Sequence, residues 1–251
     1  MIELKAFTKS YYQSSRKKPV FSVDDISITV KTGKIVGLLG PNGSGKTTIL
    51  KTICGFQFPT SGKIIVTDNE TNQFDIESNP EAAMDLIGYV PEKSILPPDL
   101  TVYEFLEHAA RMHCINESEL KDKLAYVCKE CSIQDVLTKK IKTLSKGYGQ
   151  RVSFAQAIIH NPPNLILDEP ISGLDPAQII QMRNLIKKLS KTKAVIISTH
   201  ILQEVYSLCD EMHIISKGKL VASGTEKEII SVTKTKNLEA AFLKLTDIEE
   251  K

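Results

Sequence analysis

The 251-residue chain is predicted to be an α/β protein with an antiparallel β region near its start and a mainly helical lobe inserted in its middle. Three observations predict this. Apolar residues early in the chain recur at period two, as in a half-buried sheet. Short runs apolar on both faces, separated by helical stripes, follow the grammar of a covered parallel sheet. Between about residues 95 and 160 the pattern changes to helix caps and helical stripes.

The early strand carries Phe21, Val23, Ile26, Ile28 and Val30, with one shift around Asp24-Asp25 that predicts a β-bulge. After the Thr32-Gly33 turn, Ile35-Val36-Gly37-Leu38-Leu39 has the composition of a buried central strand. It runs into Gly40-Pro41-Asn42-Gly43-Ser44-Gly45, and a helix is expected to start near Lys46.

In the lobe, Thr101 and Glu104 have capping-box spacing, flanked by Leu100 and Phe105 as a hydrophobic staple, so a helix is expected from Val102. Further stripes run from about Glu117 to Cys131 and from about Gln150 to His160. Leu165-Ile166-Leu167 then reads as a buried strand, Asp175 as a helix cap with Pro176 at the first position, and Ala194-Val195-Ile196-Ile197-Ser198 as another buried strand. A hairpin is expected around Lys217-Gly218, followed by a second capping box at Thr225 and Glu228.

Composition narrows the function classes. The net charge is only +2, and Arg16-Lys17-Lys18 is too short a basic cluster to suggest a nucleic-acid or lipid surface, so no nucleic-acid partner is expected. No apolar run reaches the length that spans a bilayer, and residues 1–5 lack a signal peptide's apolar core, so a cytoplasmic location is expected. Five scattered cysteines fit reduced thiols. Cys128 and Cys131, with His113-Cys114 upstream, have the spacing of a metal pair, but they share one helical stripe with Leu120, Leu124 and Val127, which favours core packing.

The chemistry begins at the phosphate-binding pattern G-x-x-x-x-G-K-[ST], which residues 40–47 fit between a strand and a helix. Glycines let the backbone turn successive N–H groups toward phosphate oxygens, and the helix directs its positive end at the same anion. Gly40, Pro41, Asn42, Gly43, Ser44, Gly45, Lys46, Thr47 and Thr48 are therefore candidate ATP-binding residues, with Lys46 reaching the β- and γ-phosphates and Thr47 ligating Mg²⁺. Asp168 and Glu169 end a buried strand, where α/β ligands bind. Asp168 is the candidate Mg²⁺ carboxylate and Glu169 the candidate general base; alone, the pair reads equally well as an acidic strand end that caps the next element.

Residues 40–48, Leu144-Ser145-Lys146-Gly147-Tyr148-Gly149-Gln150-Arg151, residues 165–170, Ser172-Gly173-Leu174-Asp175 and Ser198-Thr199-His200 resemble the ordered motifs of ABC ATPases. The second of them is similar to the LSGGQ signature. The resemblance implies a P-loop NTPase fold of the ABC type with a mixed sheet core, over residues 1–230, a helical subdomain at about 95–160 and a C-terminal helical tail over 231–251. It implies that Tyr11 stacks on adenine, a part that neighbouring Tyr12 could also play; ordinary strand-edge packing is the other reading of that ring. It further implies that His200 bonds the γ-phosphate, that Ser145 and the Gly147 amide reach the γ-phosphate held by an opposite subunit, and that Asp175 couples two sites.

Lys146 and Tyr148 depart from the signature, and Glu92 stands where most of the family carries a metal-contacting glutamine, still offering an oxygen to Mg²⁺. Glu92, Lys146 and residues 237–245 together resemble the branch of gliding-motility, sodium-extrusion and drug-efflux exporters. The expectation is thus a catalytic set of Lys46, Glu169 and His200 in an ATPase subunit. It would work as a homodimer, or with a related subunit, on the cytoplasmic face of a membrane-spanning permease. A soluble ABC ATPase acting on nucleic acid or ribosomes is the alternative, but this sequence lacks the long insertion or duplicated unit such proteins carry.

Overall fold

The computed structural model describes residues 1–11 and 20–246, and only the backbone of Phe21. Tyr12 and the Arg16-Lys17-Lys18 cluster lie outside the described residues. β1 (Ile2–Tyr11), β2 (Val20–Val30), β4 (Ser61–Thr67) and β5 (Gln73–Asp75) form an antiparallel sheet in the order β2-β1-β4-β5. The expected bulge is present. The pairing of β1 with β2 slips between Phe7↔Ile26 and Lys9↔Val23, Asp25 has φ 51°, and its amide is satisfied by the Thr8 hydroxyl at 3.0 Å.

The second sheet has the order β10-β9-β3-β8-β7-β6, built from β3 (Ile35–Leu39), β6 (Ile87–Val90), β7 (Asn164–Asp168), β8 (Ala194–Thr199), β9 (Glu211–Ser216) and β10 (Lys219–Gly224). Its strands run parallel from β9 to β6, and β10 closes a hairpin antiparallel to β9. β3, β7 and β8 are buried along their whole lengths because helices and the other sheet cover both faces. Lys217 and Gly218 at the hairpin turn have φ 48° and 78°, left-handed values that suit a two-residue turn.

α1 (Lys46–Ile53), α2 (Pro80–Asp85), α6 (Pro176–Ser190), α7 (Leu202–Leu208), α8 (Glu226–Thr233) and α9 (Leu238–Thr246) accompany the sheets, while α3 (Val102–Met112), α4 (Glu117–Glu130) and α5 (Lys146–Ile158) build the helical lobe. Both capping boxes close reciprocally, at Thr101/Glu104 and Thr225/Glu228, and Asp175 caps α6 by accepting from the Gln178 amide at 2.9 Å. Leu120, Leu124, Val127, Cys128 and Cys131 all lie in the lobe core, where burial pushes both thiols up. α5 starts four residues earlier than its apolar stripe suggests. Ser145 is its N-cap, and the two glycines that weaken the stripe sit in its first turns; Gly147 is held there because Gln178 of α6 occupies the space a Cβ would need.

Two histidines, His213 buried and His160 half-buried, make stability pH-dependent. Burial holds His213, on β9, at about 4; burial and the neighbouring His113 hold His160 at about 4. Both are neutral in the fold and charge near the ordinary value of about 6.5 when unfolded, so their contribution is full above pH 6.5 and is lost as pH falls toward 4. From pH 7.5 to 5, urea unfolding is expected to show a loss of about 2 kcal/mol for each. A His213→Asn variant with the same pH slope as the parent would contradict this for His213.

Candidate active site

Three adjacent parallel strands deliver the site. β3 lies beside β8, with Leu39 opposite Thr199, and β8 lies beside β7, with Ser198 opposite Asp168. The loop after Leu39, the Asp168-Glu169 pair and Thr199-His200 therefore emerge at one carboxyl edge of the sheet, where helix N-termini also converge.

The loop from Gly40 to Gly45 is shaped by close contacts. A Cβ on Gly40 would lie 2.2 Å from the Ile215 carbonyl oxygen, and Gly45 takes φ 113° as the N-cap of α1. The β9–β10 hairpin braces the loop from outside, since the Gly218 amide donates to the Ser44 carbonyl at 2.9 Å. Lys46 is 7% exposed and its Nζ donates to the Gly40 and Pro41 carbonyls at 2.6 and 3.1 Å. Burial lowers its pKa, and the Glu169 and Asp168 carboxylates oppose that shift.

Opposite the loop, Asp168 is buried and accepts from the Ser198 hydroxyl. Burial raises its pKa, the Ser198 bond counters, and Glu92 raises it again. Glu169 is also buried, sits at φ 48°, and pairs through Oε1 with His200 Nδ1 at 2.7 Å. A carboxylate oxygen accepts, so with Glu169 ionised the His200 Nδ1–H is the donor of this bond. The other Glu169 oxygen, Oε2, is buried without a hydrogen-bond partner among the described residues. A left-handed backbone at a non-glycine residue costs about 1 kcal/mol, so the fold holds Glu169 there against local preference.

A cleft of about 180 Å³ joins these groups: Ser22, residues 42–48, Glu92, Asp168 and Glu169. Three carboxylates face one lysine in it, a hard-oxygen set that fits a divalent cation. Thr47 is exposed to the cleft, whereas the Thr48 hydroxyl is engaged by Ser22 Oγ at 2.8 Å. The α1 N-terminus and the left-handed Gly43 and Gly45 suit an anion. The residues present therefore fit Mg²⁺ and a phosphate chain.

Other candidates lie apart from this cleft. Tyr11 is 43% exposed at the end of β1, and its hydroxyl donates to Gln57 Oε1 at 2.6 Å, while Gln57 Nε2 donates to the Thr48 carbonyl. Ser145 lines a second depression of about 380 Å³ together with Lys146, Gly149 and Gln150, and Glu92 borders both. Gly147 is buried under Gln178, and Asp175 is exposed at the start of α6. The roles of three residues escaped the sequence reading: Ser198, which orients Asp168; Ser22, which engages Thr48; and Gln150, which donates to the Pro170 carbonyl at 3.2 Å and accepts from Ser94 at 3.1 Å. Only strand neighbourhood and helix packing bring these residues to the site.

Residues 23–172 match the family described as ABC transporter. The chain belongs to that family. It is an ABC-transporter ATPase of the ATP-binding subunit type. It is 40% identical over 217 residues to the uncharacterized ABC transporter ATP-binding protein YdbJ of Bacillus subtilis (strain 168), covering 82% of this chain and 68% of that protein. It is also 32% identical over 210 residues to LptB of Escherichia coli (strain K12), the lipopolysaccharide export system ATP-binding protein, covering 83% of this chain and 86% of that one. The dimeric post-hydrolysis structure of the ATP-binding cassette MJ0796, bound to ADP and Pi, superposes with a TM-score of 0.78 at 26% identity, over 90% of this chain and 98% of that one. The mixed sheet, antiparallel sheet and helical lobe of this ABC ATPase are the fold its sequence predicts.

Proposed function

We propose that this ABC ATPase powers a separate membrane-spanning permease, in the direction of export, by closing as an ATP-bound dimer. The carrying observation is that the cleft gathers Lys46, Thr47, Glu92, Asp168 and Glu169 on one side only, while Ser145 and Lys146 border a different depression. A triphosphate seated on the loop needs donors on its outer side, and a second copy presenting its Ser145 and Gly147 amide would supply them. Among the described residues no helix is long and apolar enough to cross a membrane, which is why the permease is a separate partner in this reading. A groove of about 740 Å³ beside β6, walled by Phe56, Tyr89, Ile95, Leu96 and Phe105, supports such a partner, because Phe56 and Ile95 are 67% and 93% exposed. Export is supported by Glu92, Lys146 and residues 237–245, and by the similarity to LptB.

In this reading Lys46 and the loop amides hold the β- and γ-phosphates, and Tyr11 stacks on adenine. Thr47, Asp168 and Glu92 would hold Mg²⁺, which supplies charge neutralisation at the phosphates. Glu169 accepts a proton from the attacking water at Oε2, its buried unpartnered oxygen, and His200 holds Glu169 through Oε1 while offering its other face to the γ-phosphate. Asp175, exposed at the start of α6, would couple the two sites of the dimer.

Complementation tests the composite site. Lys46→Ala and Ser145→Arg proteins are each expected to be inactive, and activity is expected to return in verified mixed dimers, which contain one site with both defects and one intact site. Full activity of Ser145→Arg alone would exclude Ser145 from the reaction.

A further inference from the structure

The segment that carries His200 is built around a buried polar unit. Thr199 is fully buried and Glu204 is 4% exposed. The Thr199 hydroxyl donates to Glu204 Oε2 at 2.6 Å and accepts from the Ile201 amide at 3.0 Å. One side chain thus ties the residue before His200 to the residue after it and to the first turn of α7. The Glu204 amide closes the loop by donating to the Ile201 carbonyl at 3.1 Å. His200, whose side chain is 48% exposed, is left with its ring directed at Glu169 and little freedom in the backbone beneath it.

A carboxylate in this place carries a cost. Burial raises the pKa of Glu204, the Thr199 bond opposes this, and the neighbouring Glu169 raises it again. Packing alone would be served as well by an apolar residue of similar size. α7 is also held by its apolar residues, since Leu202 and Val205 belong to one apolar cluster with Leu39 and Ile214 of the sheet and Leu238 and Ala241 of α9. What Glu204 adds is an acceptor for Thr199.

We propose that Thr199 and Glu204 are positioning residues that set the His200 ring against Glu169, acting through the 199–201 turn without touching substrate. The hydrolytic part of this rests on the function proposed above. The geometric part does not.

Two measurements on the full chain separate them. In nitrogen-correlated NMR spectra of the histidine rings, His200 signals are expected to move in Thr199→Val and Glu204→Ala but to stay in place in Thr199→Ser and Glu204→Gln, which keep the donor and the acceptor. Unmoved signals in the first pair, with folding verified by circular dichroism, would overturn the proposal. In steady-state ATPase assays, the disruptive pair is expected to lower kcat by about tenfold to a hundredfold with KM within about threefold, as a displaced catalytic contact does. Thr199→Ser and Glu204→Gln are expected to remain within about threefold of the parent. In a His200→Ala background the disruptive substitutions should have no further effect. An equal loss there would show that they act elsewhere and would also overturn the proposal. If His200→Ala turns over ATP as the parent does while the ring signals still move in Thr199→Val, positioning stands and it is His200's part in hydrolysis that fails.

Discussion

Glu169→Gln is expected to bind ATP and to lose turnover by about a hundredfold to ten-thousandfold, the range associated with removing a general base. The amide keeps the size of the side chain and can still meet His200, so the local fold should survive. It cannot take a proton from water. The substitution also removes one negative charge from a cleft in which Glu92, Asp168 and Glu169 face a single lysine. The ATP-bound form should therefore persist, and size-exclusion chromatography with ATP and Mg²⁺ is expected to show a dimer that the parent forms only transiently. A monomeric Glu169→Gln protein with parental turnover would remove Glu169 from the chemistry.

Lys46→Ala is expected to weaken ATP binding by roughly 10- to 100-fold, in keeping with the loss of hydrogen bonds to a charged group. The ammonium already sits inside the loop, bonded to the Gly40 and Pro41 carbonyls, and burial disfavours its charge. A polyanion would restore the stabilisation that burial takes away, and the neutral variant offers nothing in its place. Titration calorimetry measures the affinity directly. The rise in Tm that ATP gives the parent should be smaller in the variant at the same nucleotide concentration, because stabilisation follows the ratio of ligand to Kd. Parental affinity in Lys46→Ala would refute the phosphate-site assignment.

Much of the architecture was legible because it is written in local signals. Thr101/Glu104, Thr225/Glu228 and Asp175-Pro176 mark helix starts by side-chain chemistry confined to four residues, and all three appear where expected. The bulge at Asp25 showed as a slip in period two. The start of α5 was missed because Gly147 and Gly149 weaken a helical stripe, and what holds them in the helix is contact with another element, not their own propensity. The short strands β4, β5 and β6 and the helices α2 and α7 likewise carry too few periodic residues to stand out from loops.

By itself, the sequence determined the phosphate-loop pattern, the acidic end of a buried strand and the motif order that resembles ABC ATPases, since each depends on residue type at fixed local spacing. Tertiary structure alone decided that β8 lies between β3 and β7, and with that order that Lys46, Asp168 and Glu169 share a cleft, that Ser198 orients Asp168, and that Glu169 meets His200. It also decided that Tyr11 is tied to Gln57 and that Ser145 faces a separate depression. The physical reason is that strand order and helix docking are set by the sum of many weak apolar contacts between residues far apart in the chain, whereas a cap, a turn or a glycine-rich loop is set by the few residues that form it.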